Sequence, residues 1–109
     1  ELELYGPDGS LKKSWGKASF TIDGFSGCCN PTDFALLPDG RFVTSEKGLP
    51  RVKVYSASGR FEGVVAGFES FTPDVVGLDV AADGLGRVFV LDPAQGAVRI
   101  FIPKDKVKP

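Results

Sequence analysis

Residues 30–67 read NPTDFALLPDGRFVTSEKGLPRVKVYSASGRFEGVVAG, four short apolar runs separated by three turn signals, and much of the remaining chain repeats parts of this stretch. Ordered self-similarity of this kind constrains a fold more than any composition does, because each copy must be one supersecondary unit. The first run spans about 33–37, and Pro38-Asp39-Gly40 turns tightly after it, with Gly supplying positive φ. The second spans 41–45, and Lys47-Gly48-Leu49-Pro50 is a looser connection. The third, 51–55, alternates Val52 and Val54 against Arg51, Lys53 and Tyr55, as a strand with two distinct faces does. Ser58-Gly59 then turns into the fourth, about 60–66.

The copies preserve strand order. Residues 2–11 match 52–61 at an offset of 50, and Ser19-Phe20-Thr21-Ile22-Asp23 recurs as Ser70-Phe71-Thr72-Pro73-Asp74 at 51. Residues 34–40 recur as 78–84 at 44, and 51–55 as 97–101 at 46. The expected organisation is strands three and four of one unit (1–15), a connecting loop with a Cys pair (16–29), a complete unit (30–67), a second loop (68–77) and the first three strands of a further unit (78–109). Val107 matches Phe61 at the start of a fourth strand.

The predicted class is all-β. A sandwich has similar strand spacing, but a four-stranded, self-similar unit of about 45 residues favours antiparallel propeller blades. The 14 Gly and 8 Pro sit between the runs and punctuate strands. A net charge of −1 gives no electrostatic reason to expect nucleic acid or an anionic membrane as partner. No apolar run approaches the roughly 18 residues a membrane span needs. A start inside an apparent strand and the absence of Met read as a processed or excerpted piece of a longer polypeptide.

Pro31, Asp39-Gly40, Arg41-Phe42-Val43, Arg51-Val52-Lys53-Val54-Tyr55 and Gly59-Arg60-Phe61 together resemble the NHL repeat family of β-propellers. The later unit repeats the pattern as Asp83-Gly84, residues 86–92 and residues 97–101. Glu46 departs from the Asp that usually ends the second strand, which Asp92 keeps, and residues 47–50 replace a Gly-Asn-His-type link. The resemblance implies a ring of six blades or thereabouts. About two blades are present, so the rest must come from further sequence or from other copies of the chain. Uncovered flanking blades would expose apolar faces.

Cys28 and Cys29 are the least ordinary pair in the chain. Adjacent cysteines can close a strained vicinal disulfide that stiffens a turn; such a bond persists only in an oxidising compartment or as a redox element, and the expected location is periplasmic or extracellular if it forms. The alternatives are two small buried thiols or, against the usual two-residue spacing and with no His in the chain, a metal site. The disulfide is the reading taken. Because the pair precedes a first strand, and first strands line a propeller channel, Cys28, Cys29 and Asn30 are the expected ligand-binding residues at the channel mouth. The recipient would be a protein or a small molecule.

Related six-bladed lactonases hold a divalent cation in the channel with Glu, Asn and Asp, and that likeness makes Asn30, Glu46 and Asp92 candidate calcium ligands. Asp33 and Asp79 lie beside first strands at corresponding places. The competing reading is that such acids bind turn amides or pair with Arg51 and Arg99. Peptide-amidating lyases, another NHL-like branch, use a His-ligated metal, which this stretch cannot supply. Arg41, Lys47, Arg51, Lys53 and Arg60 form a basic cluster diluted by Glu46, Glu62 and Glu69, and they read as solvated outer strands. The aromatic residues read as packing between blades. No catalytic residue is expected, and no cofactor unless calcium. The leading expectation is a binding or assembly scaffold, with part of a calcium-dependent lactonase or hydrolase as the alternative.

Overall fold

The structure is a computed structural model that describes residues 2–16, 22–25, 30–72, 75 and 77–104. Among these lie the strands β1 (Leu2–Tyr5), β2 (Leu11–Trp15), β3 (Asp33–Leu36), β4 (Phe42–Glu46), β5 (Arg51–Tyr55), β6 (Phe61–Ala66), β7 (Asp79–Ala82), β8 (Val88–Asp92) and β9 (Ala97–Phe101). A 3-10 turn, Phe68–Ser70, follows β6. The all-β expectation holds. The strands form three antiparallel sheets of sequential neighbours, ordered β1-β2, β3-β4-β5-β6 and β7-β8-β9. Within residues 30–67 the strand limits lie within a residue of those read from sequence.

The hydrogen-bond register corrects the alignment between units. Asp33 pairs with Ser45 and Leu36 with Phe42, while Asp79 pairs with Leu91 and Ala82 with Val88. The second and third sheets therefore correspond at 46 residues throughout, including the first strand, where sequence matching suggested 44. The turn explains the discrepancy. Gly40 N–H donates to Leu37 O and Gly86 N–H to Asp83 O, and both glycines have positive φ, at 91° and 79°. Gly86, not Gly84, is thus the turn glycine of the third sheet. Asp39 caps its turn from one position and Asp83 from another, yet each carboxylate reaches the backbone N–H and Nε of the same structural arginine, Arg41 or Arg87. Sequence matching followed the Asp-Gly pair, whereas the turn keeps the left-handed glycine and the arginine clamp. Between the first and second sheets the offset of 50 stands: Tyr5 pairs with Leu11 as Tyr55 pairs with Phe61.

The four-stranded sheet is covered on both faces, so all of β4 and most of β5 are buried despite their alternating chemistry. One face bears Val43 and Val52, which join Leu37, Ala66, Phe71, Val75, Leu78, Val80, Val88 and Val90 in a core shared with the third sheet. The edge strands β3 and β7 lie side by side. Asp33 accepts a bond from Val80 N–H at 2.9 Å, and the Ser45 hydroxyl donates to Leu78 O. The other face bears Phe42 and Tyr55, which with Phe25 form a second core lined by Leu2, Trp15 and Phe61. Phe42 stacks on Tyr55 with centroids 5.4 Å apart and meets the Trp15 ring edge-on at 5.3 Å.

Trp15 seals this junction by lying over the turn of the neighbouring sheet. A Cβ at Gly59, where φ is +91°, would collide with the Trp15 ring. Gly48 has a similar φ of +85° with nothing within 4 Å. Gly48→Ala is expected to cost about 1 kcal/mol, the left-handed backbone penalty alone. Gly59→Ala is expected to cost several-fold more, since it adds displacement of the indole. Equilibrium urea denaturation of the two variants checks this, and equal costs would remove Trp15 from the account.

Candidate functional site

The densest polar constellation among the described residues lies inside the molecule. Antiparallel pairing sets Glu46 opposite Arg51 and Thr44 opposite Lys53, so Glu46, Arg51, Lys53 and Tyr55 share one face of the four-stranded sheet. Residues 22–25 cross that face. The side chains of Glu46 and Lys53 are 1% and 0% exposed, and that of Arg51 is 5% exposed. The expectation of a solvated basic face is therefore wrong for Arg51 and Lys53. Alternation put them on the face opposite Val52 and Val54, but that face is covered as well.

Burying two cations requires acceptors close by, and the fold supplies them. Arg51 grips Glu46 in a bidentate fork, Nε to Oε2 at 2.9 Å and Nη2 to Oε1 at 3.0 Å. Lys53 Nζ lies 2.9 Å from Glu46 Oε2 and donates to Ile22 O at 2.8 Å and Gly24 O at 2.7 Å. Three ammonium donors thus meet three acceptors. The ammonium also sits 4.7 Å from the centroid of the Phe25 ring. Arg51 Nη2 reaches Gly24 O at 3.4 Å, and the Tyr55 hydroxyl donates to Asp23 O at 3.3 Å. Three consecutive carbonyls of the crossing segment are thereby bound by three side chains of one strand. Lys53 has neither solvent access nor a spare donor, so this arrangement ties a segment down and offers no nucleophile.

Burial lowers the Lys53 ammonium below its ordinary value of 10.5, opposed by the bond to Glu46 and its charge. Burial, then the Glu46 charge, raises the Tyr55 phenol well above its ordinary 10.

The third sheet repeats the tie in reduced form. Arg99 stands 46 residues after Lys53 and donates to Ser70 O, the counterpart of Gly24 O. Its guanidinium lies 5.1 Å from the centroid of Phe71, the counterpart of Phe25. Asp92 replaces Glu46 and lies 3.5 Å from Arg99. Ala97 stands where Arg51 would be. Phe25 thus stands in the environment that Phe71 occupies 46 residues later, whereas Phe20, which sequence matching set against Phe71, lies outside the described residues.

The three candidate calcium ligands are engaged separately. Glu46 is held by Arg51 and Lys53. Asp92 Oδ1 accepts from the N–H groups of Ala94 and Gln95, at 3.2 and 3.4 Å. Asn30 accepts from Lys47 N–H at 3.0 Å and donates to Lys47 O at 3.1 Å, which pins the β4–β5 link. No group of three or more His, Cys, Asp or Glu suited to a metal occurs among the described residues. Cys28 and Cys29 lie outside the described residues. Sequence reasoning missed Lys53 and the carbonyls of Ile22 and Gly24. The available signal was a cation recurring on the third strand, Lys53 then Arg99, each with a Phe 28 residues earlier.

Glu46→Gln leaves two buried cations without a counter-charge and is expected to cost about 3–5 kcal/mol by urea denaturation. The alkaline behaviour carries two signs. The depressed Lys53 makes the unfolded chain the better proton binder as pH approaches 10.5, which favours the fold as pH rises through that window. The raised Tyr55 does the reverse: its contribution is complete below 10 and is lost above it as the unfolded phenol ionises. Tyr55→Phe is expected to flatten the fall in stability above pH 10, measured by chemical denaturation at stepped pH. An unchanged slope would exclude Tyr55 as its source. No protein-family model matches the chain and no curated protein matches it, so the constellation is read from its own geometry.

Proposed function

We propose that the chain is a segment of an NHL-type β-propeller that works as a binding or assembly scaffold, completed by further blades from a longer polypeptide or from other copies of the chain. The observation that carries this reading is the outer face of the third sheet. Leu91, Val98 and Ile100 pair across β8 and β9 on that face and are 46%, 60% and 53% exposed. Their counterparts one repeat earlier, Ser45, Val52 and Val54, lie on the face that the third sheet covers. An apolar face with a covered precedent in the same chain calls for another sheet of the same kind. A protein or small-molecule ligand would then meet the scaffold at the channel mouth, near Cys28, Cys29 and Asn30.

The lactonase alternative has less support, because the carboxylates it would need serve as internal ties. Millimolar calcium is accordingly expected to leave the melting temperature unchanged, and a reproducible rise would favour the hydrolase. Light scattering tests the scaffold directly. The chain is expected to give a mass above its own 11.6 kDa. Val98→Glu with Ile100→Glu should lower that mass while far-ultraviolet circular dichroism keeps its strand signal. A monomer that melts cooperatively would overturn the proposal.

A further inference from the structure

The junction between the second and third sheets has two complementary faces. The trailing face, turned forward by the second sheet, carries Ala35, Val43, Val52 and Val54. The leading face, turned back by the third, carries Val80, Ala82, Val88 and Val90. Each face recurs once in the chain with its complement missing or incomplete. One repeat after Val52 and Val54, Val98 and Ile100 are exposed on the trailing face of the third sheet, beside Leu91. One repeat before Val80 and Ala82, Phe34 and Leu36 lie on the leading face of the second sheet, paired with Thr44 and Phe42. The sheet ahead of them has two strands among the described residues, β1 and β2. Val80 is 9% exposed, whereas Phe34 is 52% and Leu36 67% exposed.

A hydrogen bond follows the same division. Asp33 reaches from the second sheet to Val80 N–H at 2.9 Å. That amide is within reach because antiparallel ladder bonds fall on alternate residues. Asp83 N–H donates to Arg87 O, so in β7 the amides of Asp79 and Ala81 point to β8 and that of Val80 points away. Leu37 N–H donates to Arg41 O, so Phe34 N–H points away from β4 in the same manner. No acceptor meets it among the described residues. Asp79 is the counterpart of Asp33 and shares a face with Leu91, with which it pairs. It is exposed, and no donor meets its carboxylate among the described residues. One chain thus carries an unused acceptor on its trailing face and the matching unused donor on β3.

We infer that the trailing face of the third sheet docks against the leading face of the second sheet in another copy of this chain. The inference rests on the scaffold reading and names its partner. In the joint, Asp79 of one copy accepts from Phe34 N–H of the other, as Asp33 accepts from Val80 N–H. The face that bears Leu91, Val98 and Ile100 closes over Phe34 and Leu36. Both β1 and β9 are third strands of their units, so the incoming β9 takes the place of β1 beside β2. Val98 and Ile100 then stand where Leu2 and Leu4 stood. The product is a sheet of four strands like the second, made from two copies. The contact joins different surfaces of the two copies, so it is heterologous and can repeat from copy to copy.

Light scattering on mixed variants of the full chain tests the contact. Phe34→Glu with Leu36→Glu blocks the leading face, and Val98→Glu with Ile100→Glu blocks the trailing one. Each variant alone is expected to run at the mass of one chain. An equimolar mixture is expected at the mass of two, because each variant keeps the face that the other lacks. Leu36→Glu alone, at the more exposed position, replaces the first variant should that one lose its strand signal in circular dichroism. Asp79→Ala is expected to weaken association about tenfold through loss of one charge-assisted bond. Unchanged association by Asp79→Ala would overturn that bond. A mixture that stays at the mass of one chain would overturn the contact. So would a leading-face variant that keeps the wild-type mass, since third sheets would then be pairing with one another. Either result leaves the scaffold reading standing. A monomeric wild-type chain overturns the contact, and it overturns the scaffold reading too where that monomer melts cooperatively.

Discussion

The carboxylate of Glu46 is the point on which the interior of this protein turns. It stands at the end of β4, and alone it would be an unfavourable charge to bury. Arg51 and Lys53 make it tolerable, and it makes them tolerable in turn. Two cations against one anion still leave an excess of positive charge, which the carbonyl dipoles of Ile22 and Gly24 and the face of Phe25 absorb. Electrostatics therefore dictates where the segment 22–25 must run. Were it displaced, Lys53 would lose two of its three acceptors in a place that water does not reach.

The same logic, weakened, orders the third sheet. Arg99 draws Ser70 O and Phe71 over β9 as Lys53 draws Gly24 O and Phe25 over β5. With Ala97 in place of Arg51, a single cation needs less compensation, and Asp92 turns one oxygen to its own turn. The polar ties fix which segment crosses each sheet, while the apolar residues of the intervening faces supply most of the burial. Val43, Val52 and Val90 are wholly excluded from solvent. Withdrawing such side chains from water stabilises the fold by about 25 cal/mol per Å² of apolar surface.

The strands were legible because their signals are local. Alternation in 51–55 and glycine at Gly9, Gly40 and Gly59 specify strand and turn within a few residues. The correspondence between units was less so. Asp83-Gly84 looks like Asp39-Gly40, but the turn geometry depends on which glycine adopts positive φ, and Gly86 is two residues farther on. The burial of Arg51 and Lys53 was not legible in the alternation of their strand. Alternation assigns a residue to a face, but whether the face is wet depends on a segment some thirty residues away. Glu46 and Asp92 stand out in the sequence as acids that end second strands. The competing reading, that they bind turn amides or pair with Arg51 and Arg99, is what the structure shows; the carbonyl groups that complete the arrangement have no signature in the side-chain sequence.

The Trp15 wedge over Gly59 bears on how such a chain can change over generations. A repeat array can in principle grow or shrink by duplicating and deleting whole units, provided that any unit fits beside any other. Here the first junction requires a glycine on one side because an indole occupies the other, while the second is built around valines. Units cut from one place and joined at another would meet unmatched neighbours. The junctions thus record an order, and this chain could gain or lose a unit cleanly only by carrying each boundary along with its two sides.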